Sequence, residues 1–463
     1  MRRPWILSCA ILAGCAAYQA KPIDPVQLAQ RFEGRTLATD GLRRHLALQL
    51  GRAIEPWPAT HWNLELLTLA AEYYSPALAL ARAQWETSRA AIAVAGARSN
   101  PVFQLPFEYT TNHEGAGRPV TTGPAFDIPV ETADKREGRV EQATYLSEAA
   151  RLHVLDEAWR VRSAVRGALV DMYAETKRSV MLAEKAGLQQ QIVDMLRRRE
   201  SAGETARPDV IRAELLLTQV QAELSTAQRA LLDARARLAI AVGLPISALD
   251  AVRLDFDEFE RTGMAPPPTE ARRAAIFHRA DLQGALAEYE ASQASLQLEV
   301  AKQYPDIHIG LGYSYDVGAN KISLGLAGVT LPLLDRNQGA IAQAQARREE
   351  TAARTAALQD GIINDLEHAL TGYSAGQDAV RLSTARQALA SRQMAGQTAS
   401  FAAGATDRLA LLQAKSDHQA SMIEQLNEWA AMQQAAGRLE DAMQLPLSPN
   451  STGISKPERE TAR

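Results

Sequence analysis

The sequence predicts a mainly α-helical chain with a membrane β-barrel part, built as a duplicated helix–β-hairpin–helix unit. Three observations lead there. Two stretches run without proline, 78 residues between Pro129 and Pro208 and 113 between Pro332 and Pro446, and Ala, Leu, Gln, Glu and Arg dominate both. Short segments ahead of each stretch alternate apolar and polar residues with the two-residue period of a strand. The order Pro, strand, Pro, strand, Gly then recurs: Asn100-Pro101-Val102-Phe103 answers Tyr304-Pro305-Asp306-Ile307 at an offset of 204, Ile128-Pro129-Val130 answers Leu331-Pro332-Leu333 at 203, and Gly203 answers Gly404 at 201.

With 463 residues, 46% apolar and 22% charged, the chain has material for an ordered core. Its 50 basic and 54 acidic side chains include no basic run of the kind a nucleic-acid binder needs, so nucleic acid is excluded as a partner. Residues 1–14 read as a signal peptide. Arg2 and Arg3 form its basic region, and the apolar stretch from Trp5 to Leu12 is too short for a span of about 20 residues. Leu12-Ala13-Gly14-Cys15 resembles a bacterial lipobox, which makes Cys15 the lipidated N-terminus of the mature chain. Cys9 leaves with the signal peptide, so no thiol remains for a disulfide or a cysteine-held metal. Ala16, in place of an Asp that would retain the lipoprotein in the inner membrane, points to the outer membrane. Residues 15–59 are expected as an extended, lipid-anchored segment.

Residues 60–245 form the first repeat, with strands at about 102–112 and 123–130. The helix that follows is of unusual length: about 65 residues at 1.5 Å each reach roughly 100 Å. Ser201-Ala202-Gly203 breaks it. The return helix carries a heptad through Val210, Ala213, Leu217, Val220, Leu224 and Ala227 to Leu238, a coiled-coil seam in which alternate Ala permits close approach. Residues 246–279 are expected as an equatorial linker around Pro266-Pro267-Pro268. Residues 280–447 repeat the plan, with strands at about 306–316 and 321–333 and a break at Ala402-Ala403-Gly404. The second return helix, Asp407 to Met443, keeps the heptad poorly because His418 and Gln425 fall on seam positions, so its partner face differs or its register shifts. Residues 448–463 are polar and are expected to be disordered.

The strands suit a transmembrane barrel. Phe103, Leu105, Phe107 and Tyr109 alternate with Gln104, Pro106, Glu108 and Thr110, and Ile309, Leu311 and Tyr313 with Gly310, Gly312 and Ser314. The competing reading is two soluble hairpins packed on the helices. Four strands cannot close, and an open sheet in lipid leaves edge amides without partners. A barrel therefore requires several chains; three would give twelve strands around a lumen lined by Glu108, Asp127, His308 and Asp316.

On these residues the chain resembles the TolC-like outer membrane factor family, in its lipoprotein branch. The resemblance rests on the lipobox, the duplicated plan, Ala97-Arg98-Ser99-Asn100-Pro101, the string Asp127 to Arg136, and Ala202-Gly203 followed by Asp209-Val210. The last two strings look most like the heavy-metal, CzcC-like branch. The resemblance implies a homotrimer in the outer membrane, with a twelve-strand β-barrel continued by a long periplasmic α-helical barrel. It also implies a periplasmic adaptor and an inner-membrane pump of the resistance-nodulation-division class as partners, passive export of heavy-metal cations or small toxic compounds, and no cofactor beyond the lipid on Cys15. Asp209 matches an acidic position at the family's periplasmic aperture and Phe401 an aromatic one. Ala410 and Gln413 stand where members can place further acids, so the acidic ring is thinner here.

For Asp209 the plainer role is an acid favoured by the helix N-terminal dipole. No HExxH, phosphate loop or nucleophile elbow suggests an enzyme, and Glu367-His368 and Asp417-His418 read as solvated or interhelical. Two further alternatives are a lipid-anchored periplasmic coiled-coil adaptor or scaffold and the exit duct of a type I protein-secretion system.

Overall fold

A computed structural model describes residues 18–112, 117–250, 252–260 and 268–447. Cys15, the signal peptide, Pro266, Pro267 and the tail 448–463 lie outside the described residues.

Each half holds one very long helix because neither proline nor a run of turn formers interrupts it. In the first half a short helix α4 (Pro76–Ala95) leads to strands β1 (Val102–Gln104), β2 (Phe107–Tyr109), β3 (Val120–Thr122) and β4 (Ala125–Val130). Helix α5 (Lys135–Ser201, 67 residues) follows, then the return helix α6 (Arg207–Val242, 36 residues). In the second half α9 (Ala280–Ala301) leads to β5 (Ile307–Asp316) and β6 (Ala319–Val329), then α10 (Gln338–Ala402, 65 residues) and α11 (Arg408–Met443, 36 residues). The matched lengths are the duplication seen in three dimensions. Among the described residues no helix is long and apolar enough to cross a membrane.

The segment 15–59, expected to be extended, is instead partly helical. Asp24 caps α1 (Pro25–Glu33) with Pro25 at its first turn, and Thr39 caps α2 (Asp40–Leu50). Leu42 and Leu46 of α2 are fully buried, packed with Leu67 and Leu69 of α3 (Leu64–Tyr74), Val165 and Leu169 of α5 and Leu238 of α6. Burying such side chains contributes about 1.5–3 kcal/mol each; that gain, absent from a local reading of a polar N-terminus, holds α2 in place. The equatorial region 246–279 also carries short helices: a 3₁₀ turn Ile246–Leu249, α7 (Asp257–Glu260) and α8 (Pro268–Phe277). It is tied back to the N-terminal part by a bridge in which Trp62 N–H donates to Arg253 O and Asp255 N–H to Trp62 O, both at 2.9 Å. Ala271 and Ala275 of α8 pack against Ile362, Leu366 and Tyr373 of α10 and Leu439 of α11 in a second core.

Strand pairing is antiparallel throughout, with β1 and β2 in line against β4 and β3, β3 and β4 against β5, and β5 against β6. The strand expected at 102–112 is broken in two at Leu105-Pro106, where proline lacks the ladder donor, and the one expected at 123–130 runs from Ala125 to Val130, with an additional short strand, β3, ahead of Gly123-Pro124. A Cβ on Gly123 would sit 2.0 Å from Tyr313 O, so only glycine permits this crossing. The last strand stops at Val329 rather than near 333, ahead of Pro332.

Of the heptad on α6, Val210, Ala213, Val220, Ala227, Ala234 and Leu238 are buried while Leu217, Leu224 and Leu231 are half-buried. One side of the seam is closed within the chain. Helix α11 packs on both α10 and α5, and the polar residues on its seam positions meet polar partners: His418 Nε2 lies 3.3 Å from Gln387 Nε2, and Gln425 Nε2 donates to Thr384 Oγ1.

Candidate functional site

The register divides the sheet into two chemically distinct faces. Phe126 pairs with Leu311 and Ile128 with Ile309; Leu311 pairs in turn with Leu324 and Ile309 with Leu326. These exposed side chains form one apolar band across three strands, extended by the Phe103–Phe126 ring contact at 5.3 Å. On the other face Gly310 opposes both Asp127 and Gly325, and Gly312 opposes Ser323. Glu108, Asp127, His308 and Asp316 all fall on this polar face. His308 Nδ1 stands 3.1 Å from both Asp127 carboxylate oxygens, while Asp316 pairs with Lys321 and accepts from Thr121 Oγ1 at 2.7 Å. On β5 and β6 the face is otherwise lined by glycine, serine and alanine, which leave its volume open there.

Ion pairs lock the foot of the sheet to the helices. Lys135 Nζ, almost fully buried, donates to Tyr304 O at 2.6 Å and to Asp306 Oδ1 at 2.7 Å, and Arg139 holds Glu131 through two bonds of 2.6 and 2.9 Å. Thus the first residues of α5 grip the entry to β5 of the other half.

At the far end the two helical hairpins turn by the same device. Gly203 and Gly404 adopt φ of 75° and 71°, the left-handed region that favours glycine. Glu204 N–H donates to Arg199 O at 2.8 Å and Ala405 N–H to Ser400 O at 2.9 Å, closing carbonyls that the helix ends leave free. Asp209 lies in the first turn of α6, half-exposed, with Arg212 Nη1 at 3.4 Å. Phe401 lies in the last turn of α10 and is 40% exposed. The structure does not bring these two together. Asp209 instead lines an open groove of about 390 Å³ with Gln413 and Asp417 of α11, floored by Ile192 and Leu196 of α5, and Phe401 is not among its lining residues.

Asp417, read from the sequence as solvated or interhelical, stands one turn beyond Gln413 and supplies the groove with a second acid. Two features escaped the sequence reading. Asp407 caps α11 by accepting from Ala410 N–H at 2.8 Å and also takes Arg199 Nη2 at 2.8 Å, tying the two tips. The Ala410 amide and then the Arg199 guanidinium hold its carboxyl below the usual range. Deeper in, buried Glu440 of α11 meets Arg162 Nη1 at 2.9 Å and Arg166 Nε at 3.1 Å, while Arg166 also donates to Gln433 O at 2.8 Å. Arg162 and Arg166 interrupt the apolar run Val161, Val165 and Leu169, the one sequence signal of a buried partner.

An apolar band on one sheet face, an open polar face behind it and long hairpins below describe a duct wall. Residues 70–244 and 272–443, about three quarters of the chain, match the outer membrane efflux protein family. The chain belongs to that family. It is therefore an efflux channel of the outer membrane, a passive duct and not an enzyme. It is similar to the cobalt-zinc-cadmium resistance protein CzcC of Cupriavidus metallidurans, 24% identical over 249 residues, which cover 52% of this chain and 58% of that protein; the match thus spans little more than half of either. Among solved structures it is similar to the outer membrane protein VceC of Vibrio cholerae (TM-score 0.67, 19% identity, 83% of this chain and 97% of that one). It is also similar to the outer-membrane channel OprN (TM-score 0.67, 17% identity, 83% and 91%) and to CusC (TM-score 0.65, 15% identity, 82% and 91%). These likenesses give the fold: mainly helical, with a membrane β-barrel part.

Proposed function

We propose that this chain is the exit duct of a tripartite efflux system, working as a homotrimer with a periplasmic adaptor and an inner-membrane pump of the resistance-nodulation-division class. The observation that carries this is the two-faced sheet with unpaired outer edges. Strand β6 pairs only with β5, and β1 and β2 only with β4 and β3, among the described residues. An apolar face suits lipid, but open edges there would cost several kcal/mol per amide. Three copies close the sheet at twelve strands, with the polar face enclosing water and the helices continuing it into the periplasm. Acylation at Cys15 anchors each copy to the outer membrane. Asp209, with Gln413 and Asp417 across the groove, and Phe401 at the neighbouring tip form the periplasmic aperture. The cargo is heavy-metal cations, a reading supported by the name of the relative CzcC.

Growth of a deletion strain against divalent and monovalent heavy metals, beside dyes, detergents and antibiotics, tests the cargo. Loss of metal tolerance alone upholds it. Sensitivity to organic compounds alone keeps the duct and replaces the cargo with small toxic organic molecules. Defective release of a protein with neither sensitivity would make the chain a type I secretion duct. Loss of acyl-chain labelling in Cys15→Ala is the separate check on the anchor.

A further inference from the structure

We propose that helix α1 docks on a second copy of this chain, stapling neighbouring subunits at the level of the equatorial core; this rests on the trimer reading above. The helix is amphipathic, yet none of its residues is buried by its own chain. Leu28 and Phe32, one turn apart on the same face, are 52% and 45% exposed, Val26 at the edge of that face is 64% exposed, and Ile23 just before the helix is 79% exposed. Its C-terminal end is nevertheless fixed. Arg35 Nη1 donates to Tyr74 O at 3.1 Å and Gly243 O at 2.8 Å, and its guanidinium covers the rings of Phe32 and Tyr74. An apolar face is thus held at a defined height on the outside of the molecule.

Chain length excludes the bilayer as what covers it. Tyr74 lies one length of α4, 20 residues, from the strands, and 20 helical residues measure about 30 Å. Nine residues separate Cys15 from Pro25 and span roughly 30 Å when extended. A lipidated Cys15 therefore reaches the membrane only if that segment climbs the helices, which leaves α1 against protein. Charge agrees, because Arg31 is offset by Glu33 within the helix and Lys21 by Asp24 just before it, which leaves no net positive charge for anionic lipid. The complementary surface lies at the same height. Leu80 of α4 and Ile240 of α6 are 60% and 76% exposed, so neither covers the α1 of its own chain. Copies side by side around a closed barrel would cover both surfaces at once.

The test uses the full-length protein in outer membranes. Leu28→Cys, labelled with a thiol-reactive benzophenone and irradiated, should give a product at about twice the 50.3 kDa chain mass and map to the α4 or α6 surface of a second copy. Val26→Asn with Leu28→Asn, which disturbs no buried contact, should lower the temperature at which the trimer dissociates in detergent by about 10 °C or more. Crosslinks only to lipid or within one chain, or an unchanged dissociation temperature with trimer intact, would overturn the staple alone. A wild-type protein that runs as a monomer before any substitution would overturn the trimer reading beneath it, and the staple with it.

Discussion

Glu72 of α3 is 3% exposed, and its Oε1 has no hydrogen-bond partner among the described residues. Burial raises its carboxyl from the ordinary 4.5 to about 7, against the weaker pull of Arg82. The folded chain therefore binds this proton more tightly than the unfolded chain does. Stability is unaffected below pH 4.5, falls as pH rises from there to about 7, and is flat above. A shift from 4.5 to about 7 corresponds to about 3 kcal/mol at 1.36 kcal/mol per pH unit. Glu72→Gln keeps the shape and removes the titration. In detergent-solubilised trimers, hydrogen exchange of the α3 amides should be slower in the variant by about a hundredfold at pH 8 and within about fivefold at pH 5. His45 is pushed down by burial and then by the same Arg82, so it acts on stability in the opposite sense, costing it as pH falls. Both proteins share His45, and the ratio at each pH cancels it. A ratio that does not change between pH 5 and 8 would refute the assignment of a protonated Glu72 in the folded state.

Glu440→Ala strands Arg162 and Arg166 in the core and should destabilise the protein by about 3–5 kcal/mol; replacing all three with apolar residues should recover most of it, both read by thermal unfolding. Lys135→Met removes the donor to Tyr304 O and Asp306 and should cost about 1–3 kcal/mol. Proteolysis near the junction of strands and α5 would detect the loosening, and resistance equal to wild type would sink the idea. At the tips, Gly203→Ala and Gly404→Ala meet open space, so the whole penalty is the left-handed backbone, about 1 kcal/mol each. Faster amide exchange confined to the two turns is the expected result.

Much of this protein is written in short-range sequence. The long helices follow from the absence of proline between Pro129 and Pro208 and between Pro332 and Pro446, the turns from Gly203 and Gly404, and the two-faced sheet from strict alternation in β5 and β6. Each is a local rule, set by backbone conformation or by the period of side chains on a regular element. What the sequence did not determine depended on groups far apart along the chain. The helical state of 40–50 is fixed by burial of Leu42 and Leu46 among α3, α5 and α6. Glu440 is intelligible only beside Arg162 and Arg166, nearly 280 residues earlier. Asp209 and Phe401 could be nominated from their places at helix ends, but only the packing of α6 and α11 on α5 decided that Asp209 shares its groove with Asp417 and not with Phe401. Periodicity specifies which face of a helix is apolar; which distant side chain meets that face is set by how the elements pack, and no local pattern encodes it.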